Sequence, residues 1–222
     1  RPPRSTLFPY TTLFRSKAPT DTGEAFDSYL SDPAKPVPYF GRPTLKIDKN
    51  YMSADQRFAA TRPDVLVFST DELTEDVRLA GPVEAQLWVS TTGTDADFIV
   101  KVIDVHPPHT VKGKPTKLSG YQQLVRGEVI RGKFRKSLEK AEAFVPGQPT
   151  LVRFALPDVC HSFRAGHRIM VQVQSSWFPL VDRNPQTFTN IYAAKASDFK
   201  AATHRVYRSA SMPSGVTVTL AP

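Results

Sequence analysis

The stretch VEAQLWVS, residues 83–90, alternates apolar and polar side chains along its length. Its odd-numbered positions are all apolar: Val83, Ala85, Leu87 and Val89. Because successive side chains of a strand point to opposite faces, this alternation predicts a β-strand with one buried face.

Five further segments read as strands: DFIVKVIDV (97–105), LVRFAL (151–156), HRIMVQVQSS (167–176), THRVYRS (203–209) and VTVTL (216–220). The first of them is apolar on both faces, which predicts a central strand. The segment 167–176 is predicted to point Ile169, Val171 and Val173 inward and Met170, Gln172 and Gln174 outward. Turn residues separate these segments, at Gly81-Pro82, Thr92-Gly93-Thr94, Pro146-Gly147, Ala165-Gly166 and Ser214-Gly215. About eight short strands with one or two short helices predict an all-β, two-sheet jelly-roll sandwich.

The first 62 residues have a different character. Residues 17–43 include SDPAKPVPYFGRP, whose prolines exclude a helix or a central strand and predict an extended segment on a surface. Ser53 and Gln56 form a capping-box pattern that Pro63 ends, which predicts one short helix. We therefore divide the chain into residues 1–16, an extended linker with a short helix at 17–62, and the jelly roll at 63–222.

Composition limits the function classes. The net charge is +8, with two basic clusters: Lys112, Lys114 and Lys117, and Arg131, Lys133, Arg135 and Lys136. No nucleic-acid motif accompanies them, so solvated turns are favoured over a nucleic-acid partner. No apolar run reaches the length of about 18 residues that a membrane helix needs. The single cysteine, Cys160, excludes an internal disulfide and is expected to be a small buried residue.

The sequence offers no self-contained active site. The nucleophile-elbow pattern G-x-S-x-G is absent. His106 and His109, in HPPH, suggest a metal pair but lack an evident third ligand, so loop histidines are favoured. Asp95 and Asp97, in TGTDADF, suggest a calcium or general-acid pair, but turn formation before a strand is favoured. No catalytic residue, metal or cofactor is predicted.

Long stretches of the chain resemble a known family. They are AGPVEAQLWVSTTGTDADFIVKVIDV (80–105), FRAGHRIMVQVQSSWFPLVDRNPQTFTNI (163–191) and THRVYRS (203–209). These resemble the C-terminal domain of serine hydrolases related to X-Pro dipeptidyl-peptidase and cocaine esterase. WFPLVDRNPQTF (177–188) and FDSYLSDPAKPVPY (26–39) look most like the α-amino-acid ester hydrolase and glutaryl-7-aminocephalosporanic acid acylase branch.

The resemblance implies a larger parent enzyme with an α/β-hydrolase domain, a helical cap and a galactose-binding-domain-like jelly roll. The catalytic triad would lie upstream, so this part alone is expected to be inactive toward the parent's substrates: α-amino-acid esters, β-lactam side-chain amides or X-Pro-type peptides. Leu87 and Trp88 match a pair that approaches the acyl pocket in relatives, although a strand points them to opposite faces. Core packing is favoured for Trp88.

Trp177, Phe178 and Pro179 are expected to anchor a crossover and to meet the hydrolase domain. The expected partners are the upstream hydrolase and cap domains and a small ester or amide substrate; no nucleic acid or membrane partner is expected. Whether the parent enzyme is a homo-oligomer stays open. Its location also stays open, either periplasmic or secreted, or otherwise cytoplasmic. The alternative function is a stand-alone carbohydrate-binding jelly-roll module.

The stretch TLFPYTTLFRS, residues 6–16, resembles a translated sequencing adapter. We therefore expect residues 1–16 to be an artefact without fixed structure, joined to a truncated hydrolase gene. An isolated segment of this length does not offset an ordering entropy of about 1–2 kcal/mol per residue.

Overall fold

The computed structural model describes residues 4–7, 25–42, 47–112 and 114–221. Strands dominate this part of the chain: β1 (Arg4–Leu7), β2 (Phe26–Ser31), β3 (Leu66–Ser69), β4 (Val77–Thr91), β5 (Asp97–Val105), β6 (Thr110–Val111), β7 (Lys114–Pro115), β8 (Gln122–Arg131), β9 (Thr150–Phe163), β10 (Arg168–Gln174), β11 (Ala202–Tyr207) and β12 (Gly215–Leu220). Its helices are short: α1 (Arg57–Ala60) and the 3-10 helices Lys49–Ser53, Gly132–Phe134, Ile191–Ala193 and Ala196–Asp198.

The strands form two antiparallel sheets and a small β6–β7 hairpin. The larger sheet has the order β1–β12–β4–β11–β2, with β9 paired to the other edge of β4, and the smaller has the order β3–β10–β5–β8. The 15-residue β4 organises the larger sheet, because β9 follows it on one edge while β12 and then β11 pair with the other. This architecture confirms the predicted all-β, two-sheet jelly-roll sandwich, with β5 in a central position.

The main core fills the space between the two sheets. The predicted apolar face of β4 points into it, since Val83, Ala85, Leu87 and Val89 are all buried. The smaller sheet contributes Phe98, Val100 and Val102 from β5 and Ile169, Val171 and Val173 from β10. Burying each large apolar side chain contributes about 1.5–3 kcal/mol, so the alternation in the sequence fixes which face of each strand turns inward.

The other face of the smaller sheet is also covered. Met170, Gln172 and Gln174 point away from the main core as predicted, but all three are buried. A second apolar cluster joins this face to side chains that precede β3; it contains Tyr39, Ile99, Ile103, Leu124, Met170 and Trp177, with Phe40 and Tyr51 packed against it. A strand that is apolar on both faces, such as β5, requires this second layer.

Much of the segment assigned to a linker therefore packs on the sandwich. β2 pairs with β11 in the larger sheet, and Val37 and Ala59 are buried in a small cluster with Val65. The sandwich thus includes residues before 63, the boundary drawn from the sequence. The packing of this segment on a second domain stays a prediction.

The predicted capping box is wrong in detail. Ser53 ends a 3-10 helix whose N-cap is Asp48. α1 begins after Gln56, whose side chain makes no capping hydrogen bond. Gln56 is instead fully buried, and its Oε1 accepts a hydrogen bond from Lys101 Nζ at 3.1 Å. A tertiary contact has taken the side chain that the local pattern assigned to the helix end.

A bulge interrupts the pairing of β9 with β4. Val83 lies opposite Leu156, whereas Gly81 lies opposite Val159, so three steps along β9 match two along β4. Residues 157–158 absorb the extra position. Since side chains alternate between the faces of a strand, this extra residue exchanges the inward and outward sets.

The exchange is visible in the burial of β9. Leu156 is buried before the bulge, and Val159 and Phe163 are buried after it. Cys160 is exposed, so the prediction of a buried cysteine is wrong. The same exchange turns His161 toward the space between the sheets, where it meets β5.

β1 lies at the edge of the larger sheet, where it pairs with β12 from Arg4 opposite Thr219 to Leu7 opposite Val216. For these four residues the structure differs from the disorder expected for residues 1–16. The other residues of that stretch lie outside the described part of the chain. Their origin as translated adapter stays a prediction.

Candidate functional site

Leu87 and Trp88, the pair predicted to line an acyl pocket, lie on opposite faces of β4. Leu87 is 3% exposed and lines a cavity of about 20 Å³ between the sheets with Val171 and Val206. Trp88 is half-buried on the other face, and its backbone N–H donates to Ser214 Oγ at 2.9 Å. Trp88 thus presents side-chain surface outside the core, and the expectation that it packs in the core is wrong. The pocket role of either residue stays a prediction.

The three residues of the WFP segment, 177–179, differ in burial. Trp177 is buried, meets Tyr51 edge-to-face at 5.9 Å and lies 5.3 Å from Lys101 Nζ. Phe178 and Pro179 are exposed. Trp177 therefore anchors the segment within this domain, and the surface available for a second domain is that of Phe178 and Pro179.

The backbone reinforces this anchor. Phe178 donates its N–H to the carbonyl of Val37 at 3.0 Å and accepts from the N–H of Tyr39 at 2.9 Å. Gly127, beneath the indole of Trp177, leaves no spare room, since a Cβ there would lie 3.2 Å from the ring. The loop after β10 and the segment after β2 are thus held together over the smaller sheet.

Lys101 is a fully buried amine on the covered face of β5. Its Nζ donates to Gln56 Oε1, and none of the ion pairs among the described residues includes it. Burial lowers the pKa of Lys101 to about 7, because an uncompensated charge is unfavourable away from water. The only sequence signal for this buried amine is a lysine within an apolar strand.

Asp97, at the start of β5, lies in a buried polar network. Its Oδ1 accepts from Asn184 Nδ2 at 2.7 Å, and Arg131 lies 3.4 Å from its Oδ2. Burial raises the pKa of Asp97 to about 7, and Arg131 and Asn184 offset only part of that effect. The network continues through Asn184 Oδ1, which accepts from the N–H of Gln186 at 2.6 Å, and through Gln186 Oε1, which lies 2.7 Å from His204 Nε2.

The neighbouring Asp95 fits the predicted turn role better than Asp97 does. Asp95 Oδ1 accepts from the N–H of the next residue, Ala96, at 2.9 Å. Asp97 instead bonds a residue 87 positions away in the sequence. Gly93 completes this loop, because a Cβ there would lie 2.4 Å from the carbonyl oxygen of Gln186.

An open cavity of about 450 Å³, which we call the loop-end cavity, lies at the Asp97 end of the sandwich. Its lining includes Arg131, Lys133, Phe134, Phe188, Ile191 and Tyr192. Tyr192 is 89% exposed and Phe188 is 43% exposed. The cavity therefore presents aromatic surface beside cationic side chains.

Several basic residues near this cavity are engaged within the chain. Lys133 Nζ donates to the carbonyl of Thr189 at 3.1 Å. Arg135 NH1 donates to the carbonyl of Glu142 at 2.8 Å, and Lys136 pairs with the carboxylate of Glu142 at 2.7 Å. The other predicted basic cluster lies on and beside the exposed β6–β7 hairpin. Local structure thus accounts for much of the 131–136 charge.

The opposite end of the sandwich holds an Asp–His cluster that sequence reasoning missed. Asp104, near the end of β5, accepts from His161 Nε2 at 2.9 Å through Oδ2 and from His167 Nδ1 at 2.8 Å through Oδ1. The ring of His106 lies 4.6 Å from that of His167. Burial raises the pKa of Asp104, but the two histidine hydrogen bonds outweigh it and the pKa is lowered.

Three members of this cluster, Asp104, His106 and His167, are placed to hold a metal ion. One ligand atom from each of Asp104, His106 and His167 lies within 4.8 Å of the other two. His109, the partner of His106 in the HPPH pattern, is exposed and outside the cluster. No direct signal for the Asp–His cluster is present in the sequence, because the residues of the cluster are up to 63 positions apart and His161 faces inward only after the bulge in β9.

A hydrolytic triad is not assembled among the described residues. His161 and His167 both bond Asp104, but no hydrogen bond in this part of the chain joins a serine hydroxyl to a histidine ring. His204 bonds Gln186, and His106 bonds Gln123.

The described helices also include none that is long and apolar enough to cross a membrane.

The fold defines the chain as an all-β jelly-roll domain, a class that serves many functions. Comparison with known proteins identifies the family within this class. Residues 9–217 match the family model described as X-Pro dipeptidyl-peptidase C-terminal non-catalytic domain. The chain belongs to this family, as the resemblance indicated.

Three relatives show the extent of the match. The chain is 34% identical over 197 residues to cocaine esterase from Rhodococcus sp. (strain MB1 Bresler), covering 89% of this chain and 32% of that protein. It is 47% identical to an aminopeptidase from the marine sediment archaeon Thaumarchaeota archaeon, with a TM-score of 0.84, covering 90% of this chain and 34% of the other. It is 43% identical to an α-amino acid ester hydrolase, with a TM-score of 0.85, covering 90% and 33%. The chain thus spans about a third of the length of these relatives.

Proposed function

We propose that this chain is the C-terminal accessory domain of a larger serine hydrolase, and that the catalytic triad belongs to a separate α/β-hydrolase domain. The substrates proposed for the parent are α-amino-acid esters, β-lactam side-chain amides or X-Pro-type peptides. The observation that carries the proposal is the match of 90% of this chain to one third of an α-amino acid ester hydrolase at 43% identity. The description of the matching family as a non-catalytic domain supports a non-catalytic role.

The proposed role is to cover one side of a catalytic cleft and to exclude water from it. Exclusion of water strengthens the electrostatic interactions that stabilise a developing oxyanion. A rigid sandwich suits this role, because its strands hold the covering surface in a fixed position. The half-buried Trp88 is the side chain of the predicted pocket pair that has surface for such a contact.

The docking face proposed for the hydrolase domain is the surface around the loop-end cavity and the 177–179 loop. It contains the exposed side chains of Phe178, Phe188 and Tyr192. The guanidinium of Arg183 lies 5.4 Å from the ring of Phe178 and 5.3 Å from the ring of Phe199. Aromatic side chains with a neighbouring arginine are typical of protein–protein contacts.

A domain exchange tests the proposal. The C-terminal domain of the related α-amino acid ester hydrolase is replaced by residues 17–222 of this chain, and turnover of an amino-acid ester is compared with that of the intact and the truncated relative. We expect the exchange to restore most of the activity lost on truncation. The 222-residue chain alone is expected to show no turnover of an activated ester.

Two exchanged enzymes separate docking from folding. Tyr192→Ser on the proposed docking face should lower the restored activity at least about tenfold, which corresponds to about 1.4 kcal/mol. Leu118→Ser, at another exposed apolar position, should leave it unchanged. Turnover by the free chain that depends on one of its own serines contradicts the proposal, as does a folded exchange enzyme no more active than the truncated relative. Glycan binding by the free chain would favour the carbohydrate-binding alternative.

A further inference from the structure

The Asp–His cluster lies where three parts of the fold converge. Asp104 is on β5, His106 follows that strand, His161 is on β9 and His167 immediately precedes β10. The side chain of Asp104 is 3% exposed, and those of His161 and His167 are 21% and 15% exposed. The cluster is thus sheltered at the sandwich end remote from the loop-end cavity, yet within reach of a small ion from solvent.

The hydrogen bonds fix which ring nitrogens carry protons. A carboxylate only accepts hydrogen bonds, so His161 Nε2 and His167 Nδ1 both donate to Asp104. His106 Nε2 lies 3.2 Å from Gln123 Oε1, an acceptor, and therefore donates to it. In the neutral rings the lone pairs remain on His106 Nδ1 and His167 Nε2. No hydrogen bond within the described part of the chain uses either atom, so His106 Nδ1 is free to bind an ion. His167 would bind the same ion as Asp104 through Nδ1, the ring atom beside Asp104, and its Nε2 is free to take the Nδ1 proton.

We propose that Asp104, His106 and His167 bind a divalent transition-metal ion of the zinc class, and that His161 and Gln123 orient the ligands. Ligand atoms at about 2.0–2.2 Å from a tetrahedral ion lie about 3.3 Å apart. The three residues already place one ligand atom each within 4.8 Å of the others. His106, on a half-buried loop, needs a movement of only about 1–2 Å to close this distance.

The ligand set favours zinc over calcium. Two imidazoles and one carboxylate are typical of zinc, whereas calcium takes six to eight oxygen ligands. His161, bonded to the second carboxylate oxygen of Asp104, and Gln123, bonded to the far nitrogen of His106, are the outer partners that usually hold ligands in position. A water molecule would complete the tetrahedron. The ion would join β5, the loop after it and the start of β10.

Metal titration of tag-free, chelator-treated 222-residue protein tests the proposal. We expect about one zinc ion per chain, measured by competition with a chromophoric chelator. Zinc at 100 times its dissociation constant should raise the melting temperature by about 5–10 °C. On binding, His167 exchanges its bond to Asp104 for the ion by moving its Nδ1 proton to Nε2, so the proton stays on the ring.

Variants within the same loop provide the matched control. His106→Ala should abolish specific binding, while His109→Ala, three residues further on, should bind like the unsubstituted protein. His161→Gln should weaken binding by about 10–100-fold, as removal of an outer hydrogen-bond partner does. Circular dichroism of each variant without metal checks that it folds. Zinc binding that is absent, or equally strong in the folded His106→Ala variant, overturns the proposal.

Discussion

Asp97 and Asp104 occupy the two ends of β5 and are equally buried, at 2% exposure each, yet their pKa values move in opposite directions. Burial raises the pKa of Asp97 to about 7, and Arg131 and Asn184 offset this effect only in part. For Asp104, burial also acts upward, but two short hydrogen bonds from His161 and His167 reverse the result. The seven residue steps from Asp97 to Asp104 span about 23 Å.

The difference shows that hydrogen-bond partners, and not burial alone, decide the charge of a carboxylate in this domain. Lys101, between the two aspartates on the same strand, supports this. Its partner is a neutral amide oxygen, and burial lowers its pKa to about 7. We assign the metal ion to the Asp104 end of β5, where two histidine hydrogen bonds stabilise the charged carboxylate.

The largest expected effect concerns Lys101. Between pH 7 and pH 10.5 the unfolded chain keeps the lysine protonated while the folded chain does not. The free energy of unfolding should therefore rise with pH across this window, by up to about 1.4 kcal/mol per pH unit from this group. Lys101→Met should remove that contribution. Urea unfolding of both proteins at several pH values measures the difference, and parallel pH profiles would contradict the lowered pKa.

The next effect contrasts the two aspartates. In chelator-treated buffer at pH 6, Asp104→Asn should lower the free energy of unfolding by about 2–3 kcal/mol, because two hydrogen bonds to a charged acceptor are weakened. Asp97→Asn, an equally conservative change at an equally buried site, should cost less than about 1 kcal/mol. Urea unfolding with a common slope measures both.

A pH series sharpens this contrast. The folded state holds the Asp97 proton up to about pH 7, whereas the unfolded carboxyl loses it near pH 4. The contribution of Asp97 to stability is therefore full at low pH and is lost as pH rises toward 7. Asp97→Asn should remove that decline. Equal losses in the two asparagine variants at every pH would contradict the view that their partners distinguish the two sites.

The smallest effect concerns Cys160, next to His161 on β9. Because Cys160 faces solvent, Cys160→Ser should change the free energy of unfolding by less than about 0.5 kcal/mol. The native thiol should react with a water-soluble disulfide reagent at a rate close to that of the urea-unfolded chain. A thiol protected until global unfolding would place the bulge in β9 elsewhere and remove His161 from Asp104.

The sequence predicted the fold well where the signal is local. The alternation in residues 83–90 assigned the inward face of β4, and the apolar run 97–105 coincides with β5. The same reasoning failed for Ser53 and Gln56, because Lys101 competes for the glutamine side chain. It failed for Cys160 because an extra residue in β9 exchanges inward and outward positions without a clear sequence mark.

The amino-acid sequence by itself determined the two-sheet sandwich and the family, since alternation and residue spacing are properties of neighbouring positions. Only the tertiary structure decided that residues before 63 cover the smaller sheet, that Trp177 is an anchor, and that Asp104 meets His106, His161 and His167. The physical reason is the sequence separation over which each property is decided. Alternation within one strand sets the face that a side chain takes. The residues that it contacts depend on the register and the bulges between strands that are distant in the sequence.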